Sequence, residues 1–213
     1  MGFIAKDTGG DGNFKRVPAG VFIGRCYSLI DLGTQTETGA YGTKDLHKIR
    51  ISWELFGDDD EGNPLTIVVD GKEMPLTISK KYTVSLHEKA NLRKELSAWR
   101  GKDFTEEEAK AFDVSKLVGA YCMINVVTSE TNGKIYSNVG GITPLPGALK
   151  NAKPAPVHEN VLFNLDEPDM AVFATFYDQL KETIKKSPEW AKHSGTKNSE
   201  YVPDFDDLEV EPY

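Results

Sequence analysis

Long apolar runs are missing from this 213-residue chain. No stretch approaches the ~20 residues that a membrane-spanning helix requires. The first residues, Met1 to Lys6, lack the apolar core of a secretory signal, and Lys6 stands where a myristoylation signal carries Ser or Thr. The protein is therefore expected in the cytoplasm, with no membrane partner. Cysteine is scarce: Cys26 and Cys122 lie far apart, without a C-x-x-C pair. Both sit in apolar, strand-like surroundings, as two buried thiols in a reducing compartment would. Enzyme signatures are also lacking. His87-Glu88 opens an H-E-x-x-H pattern, but Asn91 takes the place of the second histidine. There is no phosphate-binding G-x-x-x-x-G-K-[ST] loop and no G-x-S-x-G elbow. His47, His87, His158 and His193 are widely separated, and the Asp58–Glu61 run lacks the glycine and glutamate of a calcium loop. No catalytic residue, metal site or cofactor is assigned.

A basic surplus is absent too. The chain carries 25 basic and 33 acidic residues, a net charge of −8. The distribution matters more than the total. Six acids (Glu200, Asp204, Asp206, Asp207, Glu209, Glu211) fall in the last fourteen residues, where there is no Lys or Arg. Setting those six aside leaves 27 acids against 25 bases. Seven of the 27 lie in two clusters, Asp58–Glu61 and Glu106–Glu108, so the remaining body has room for a cationic face.

What is present is mainly strand pattern. Residues 1–16 are Gly-rich and polar and read as a flexible arm. A strand over Val21–Ile30 leads into a Thr- and Gly-rich loop, Gly33 to Lys44, with Tyr41 near its tip. His47–Leu55 alternates cleanly: Ile49, Ile51, Trp53 and Leu55 on the core face, Lys48, Arg50, Ser52 and Glu54 on the other. Residues 65–70 and 74–84 are again β-rich. The period then changes. Ser85-Leu86-His87-Glu88 reads as a capping box opening a helix over 86–100, with Leu92, Leu96 and Trp99 on its buried face. Thr105–Glu108 repeats the cap signature before a short helix ending near Phe112. Ala120–Val127 and Lys134–Val139 form a hairpin around Asn132-Gly133.

The order strand, strand, strand, helix, strand, strand predicts a mainly β fold: a five-stranded OB-type barrel over residues 17–145. Prolines 144, 146, 154 and 156 suggest a strap across it. Met170, Phe173, Phe176, Tyr177, Leu180 and Ile184 predict one further helix over 169–186. Strap and helix together occupy residues 146–190, and residues 191–213 read as a disordered acidic tail.

Strand parity collects cations and flat rings on the sheet's outer side. The candidates are Arg25 and Tyr27 on the first strand, Tyr41 on the loop, Lys48 and Arg50 on the second, and Lys80, Lys81 and Tyr82 on the third. The hairpin adds Tyr121, Lys134 and Tyr136. Phosphate-neutralising charge beside rings that stack on bases is what a sequence-tolerant grip on single-stranded nucleic acid requires. The tail interleaves Asp204, Asp206, Asp207, Glu209 and Glu211 with Phe205, Leu208 and Tyr213. That pattern suits a partner's apolar pocket with a basic rim, or the protein's own cationic groove; a plain solubility tail is the alternative.

Several segments resemble those of bacteriophage single-stranded DNA-binding proteins: Tyr82–Lys89 leading to Leu92-Arg93-Lys94 and Trp99-Arg100-Gly101, Leu117–Cys122, Asn132–Tyr136, and the acidic, aromatic-ended tail. The resemblance implies an OB fold, single-strand binding in phage DNA replication or recombination in the host cytoplasm, no cofactor, and a tail that recruits replication or recombination proteins. A homo-oligomer is compatible with it. Bacterial relatives end in Phe where this chain has Tyr213. Two other readings remain open: an OB-type protein-interaction module without DNA affinity, and a metal-dependent nuclease using Asp58–Glu61.

Overall fold

A computed structural model describes residues 15–39 and 42–194. The flexible-arm expectation therefore falls almost wholly outside the described residues, as do Tyr41 and the tail beyond Ser194. The fold is mainly β. Among the described residues eight strands, β1 (Gly20–Gly39), β2 (Gly42–Phe56), β3 (Thr66–Val69), β4 (Lys72–Pro75), β5 (Thr77–Thr83), β6 (Tyr121–Thr131), β7 (Lys134–Pro144) and β8 (Val161–Phe163), are joined by five α-helices. These are α1 (Asn91–Arg100), α2 (Glu106–Lys110), α3 (Met170–Ala174), α4 (Asp178–Lys185) and α5 (Pro188–Ser194).

The main sheet runs β5-β2-β1-β6-β7, antiparallel throughout, with β8 added parallel to β1. Between β5 and β7 no ladder closes the sheet among the described residues. Local chemistry sets the turns. Asn132 and Gly133 both have positive φ (52° and 72°), the geometry of a two-residue hairpin turn matched to strand twist. Asp70 and Gly71 do the same for the small β3–β4 hairpin, which stands apart from the main sheet.

Register shifts in β1, at Cys26/Ser28 and Asp31/Gly33, decide where the cores lie. Before the first shift Cys26 faces Trp53; beyond it Leu29 faces Ile51. The extra residue turns even-numbered side chains from one side of the sheet to the other. Cys26, Leu29, Ile49, Ile51, Trp53, Leu55, Tyr82, Cys122, Ile124 and Val126 fill the inner core, closed by Leu92, Leu96 and Trp99 of α1. Ile30 and Leu32 belong to a second core, with Phe163, Leu165, Phe173, Phe176, Leu180 and Ile184. Both thiols are buried and free, and burial pushes Cys26 up to about 12.

Several expected boundaries move. The Gly33–Lys44 loop is instead a continuation of the β1–β2 ribbon, paired from Gly33↔Lys48 to Gly39↔Gly42. The first long helix begins at Asn91, not 86. Ser85 accepts from the His87 N–H in a local turn, and the N-cap is Ala90, which has no capping side chain. The Thr105 capping box forms as read, with Thr105 and Glu108 exchanging both bonds. The helix expected over 169–186 breaks into α3 and α4. Tyr177 is the extended N-cap of α4, and Phe176 turns edge-on to Phe163 with ring centres 5.2 Å apart. Met170 and Tyr177 stay exposed. Ala191–Ser194, expected within the tail, are helical.

The C-terminal helices brace the ribbon. Glu189 accepts from Thr34 N–H (2.9 Å) and Thr34 Oγ1 (2.6 Å), and Gln35 donates to the Thr183 carbonyl (3.0 Å). Gly33, at φ 66°, packs so close to α5 that an added Cβ would lie 2.5 Å from Ser187 Cβ. Gly33→Ala combines left-handed strain with overpacking, an expected loss of about 2–4 kcal/mol. Urea unfolding followed by tryptophan fluorescence checks it, with Trp190 of α5, stacked on Phe173, as one of three reporters. An unchanged midpoint would show that α5 yields without cost.

Candidate nucleic-acid interface

Of the expected contact residues, Lys48, Arg50, Lys81, Lys134 and Tyr136 are at the surface or partly so. Arg50 and Lys81 are direct cross-strand partners on the outer face of β2 and β5. Arg50 donates twice to Ser79 Oγ (3.1 and 2.9 Å) and lies 5.6 Å from the Tyr177 ring centre. Lys48 pairs with Glu37 across the ribbon at 2.6 Å. Lys134 and Tyr136 start β7, and Tyr136 is 49 % exposed.

Arg25, Tyr27, Lys80, Tyr82 and Tyr121 do not share one open face as expected. Arg25 is 2 % exposed: its guanidinium pairs with Glu54 and donates to Asn160 Oδ1 (2.6 Å) and to the His158 carbonyl. Tyr27 is half-buried, its ring stacked on His158 at 4.6 Å. Both lie beneath the Lys153–Asn160 strap. The strap also gives Glu54 the backbone N–H groups of Val157 and His158 and the His158 ring. Parity places Arg25 and Glu54 on the outer face, but a distant segment covers that end of it.

Tyr82 is in the inner core, opposite Ile49, with its hydroxyl donated to Glu95 of α1. Burial and the adjacent Glu95 carboxylate push that phenol well up. Lys80 shares its parity; the ammonium binds Glu95 and the Val139 carbonyl (3.3 Å). Lys80, Lys81 and Tyr82 cannot all face one way on a strand of period two. Tyr121 donates to the Pro154 carbonyl (2.6 Å) under Lys153, away from the β2–β5 face. Tyr41 and the tail residues Asp204, Phe205, Asp206, Asp207, Leu208, Glu209, Glu211 and Tyr213 lie outside the described residues.

Two clefts flank the exposed cations. The first, of about 550 Å³, lies between the β3–β4 hairpin and the β6–β7 hairpin. Lys15, Arg16 and Arg50 line it, with Tyr136, Ile135, Ile67, Val69 and Met74 as apolar walls. Lys15 donates to the Pro64 carbonyl (2.8 Å), and Ser137 Oγ to that of Val17 (2.5 Å), fixing the chain's entry beside Tyr136. The second, of about 630 Å³, lies between the ribbon, β5 and the segment before α1, and is lined by Lys44, Lys48, Lys80, Lys81, Lys89 and His87. Among the described residues no Asp or Glu lines either cleft, in a chain with a surplus of acids.

Sequence reasoning missed Lys15 and Arg16, assigned to a loose arm, and Lys44 and Lys89, set in what read as a loop and a helix. Ser187-Pro188-Glu189 carried an overlooked helix start: Ser at the N-cap, Pro at the first position, and an acid after it.

Asp59 serves its own turn. It accepts from the N–H groups of Asn63 (2.8 Å) and Glu61 (3.1 Å), which hold its carboxyl below the usual range. Among the described residues no group of three or more His, Cys, Asp or Glu is placed to hold a metal ion, and no helix is long and apolar enough to cross a membrane. No protein-family model matches the sequence, and no curated protein matches it.

Proposed function

We propose that the protein binds single-stranded DNA without sequence preference, on the outer face of β2 and β5. The observation that carries this reading is the pair of clefts with no Asp or Glu among their described lining residues, joined across Arg50 and Lys81, one of them walled by an exposed tyrosine. Cations neutralise the phosphates, and Tyr136 with its apolar neighbours receives unstacked bases. Duplex DNA, whose bases are already stacked and paired, offers no free face to that ring.

The strand order β5-β2-β1-β6-β7, with α1 entering the chain between β5 and β6, supports an open variant of the OB-type barrel. In such barrels the corresponding face, flanked by the first and last hairpin loops, binds oligonucleotides. The resemblance of several sequence segments to phage single-stranded DNA-binding proteins supports a role in phage replication or recombination. The acidic segment from Glu200 to Tyr213 then recruits replication proteins and competes with DNA for the cationic face.

Anisotropy of labelled oligo-dT at low salt tests the reading. Expected is salt-sensitive binding, with weaker binding to a duplex of equal length. Failure to bind oligo-dT, even after deletion of residues 200–213, overturns it.

A further inference from the structure

The two clefts differ in what they can hold. The first joins cations to an exposed ring and apolar walls. In the second the available charged groups are lysines alone: Lys44 and Lys48 from the ribbon, Lys81 from β5, and Lys89 from the segment before α1, with Thr83, Ser85, His87 and Asn91 as polar lining. Its one phenol, Tyr82, is 3 % exposed and tied to Glu95, so it presents no face to a base, and the one other ring, the His87 imidazole, is engaged at Nδ1 by the Lys89 N–H. Lys44, Lys81 and Lys89 make no ion pair among the described residues, and Lys48 shares its charge with the exposed Glu37. Ammonium groups on flexible stems suit phosphates as point charges, without the planar geometry that would read a base edge.

Resting on the single-strand reading above, we infer that the second cleft is a phosphate-only subsite. It holds the sugar-phosphate backbone of the strand without stacking or reading bases, and leaves discrimination of single from double strands to the cleft at Tyr136. Salt dependence then belongs chiefly to the lysines, and strand preference to the tyrosine.

Tripolyphosphate, which has phosphates but no bases, separates the two roles. The full chain is compared with the K44Q/K81Q/K89Q variant, with Tyr136→Ala, and with Ala90→Asp. The last adds a carboxylate to the cleft lining at a helix N-cap, where Asp is favoured, so its melting midpoint should hold or rise. The triple variant should lose tripolyphosphate binding. Its salt slope for oligo-dT should fall by about 2, at ~0.7 per phosphate contact, with its preference for single over double strands intact. Ala90→Asp should weaken tripolyphosphate binding without loss of stability, and Tyr136→Ala should leave both that binding and the slope unchanged. Tripolyphosphate binding to the triple variant as tight as to the unaltered chain overturns the inference, as does a fall in strand preference alongside the slope. If the unaltered chain binds tripolyphosphate through these lysines but not oligo-dT, the single-strand reading fails and the backbone assignment with it.

Discussion

Replacing Glu54 by Gln is expected to lower the unfolding free energy by about 3–5 kcal/mol, because it leaves the Arg25 guanidinium buried without a counter-charge. Glu54 is fully buried and Arg25 nearly so. Between them they account for most of the polar grip on the strap, whose Ala155, Pro156 and Val157 remain exposed. Equilibrium urea unfolding measures the loss, and faster tryptic cleavage after Lys150 reports release of the strap. The paired change Arg25→Met with Glu54→Leu should cost far less, since an apolar pair of similar volume avoids desolvating two charges. If Glu54→Gln costs less than about 1 kcal/mol, the pair does not hold the strap.

The same carboxylate gives a pH dependence of defined sign. Burial pushes Glu54 up, but hydrogen bonds from the His158 backbone, Arg25 and the His158 ring, with the charge of Arg25, together bring it below its ordinary 4.5. A group depressed in the folded state adds stability that is fully present above its unfolded value and is lost as pH falls through the folded one. The contribution of Glu54 is therefore complete at neutral pH and lost only below about 4.5. The Gln variant should show a flatter acid limb than the unaltered protein.

Tyr136→Ala is expected to weaken oligo-dT binding by about 5- to 150-fold, the range equivalent to the ~1–3 kcal/mol that one stacked base contributes. The ring is half exposed and belongs to neither core, so the thermal midpoint should barely move. Tyr136→Phe should retain most of the affinity, because stacking uses the π-face and not the hydroxyl. Equal losses in Phe and Ala variants would assign the effect to the hydroxyl and remove stacking from the first cleft. Affinity unchanged in both would remove Tyr136 from the interface altogether.

Part of this architecture is legible in the sequence alone. The alternation from Ile49 to Leu55 marked a core-facing row, the Leu92, Leu96, Trp99 spacing marked the buried face of α1, and Asn132-Gly133 marked its hairpin, because each is a local property of period or turn chemistry. The site was less legible. Tyr82 could have been assigned inward from its parity with Ile78, but Arg25 and Tyr27 could not have been recognised as covered. The segment that covers them, at Val157 to Asn160, lies over a hundred residues away in sequence.

The sequence by itself determined the mainly β character, the alternating row of β2, the buried face of α1, the β6–β7 hairpin and the segregation of acids toward the chain's end. Only the tertiary structure decided which outward face meets solvent. A strap latched to a buried ion pair closes one end of the β1–β2 surface, and a register shift in β1 gives the other end to a second core. Among the described residues, the cations that line the two clefts on this side include Arg50 and Lys81 with the Glu37-paired Lys48, joined by Lys15, Arg16, Lys44 and Lys89. Period fixes the side of the sheet on which a side chain stands, whereas exposure depends on what else in the fold packs against that side.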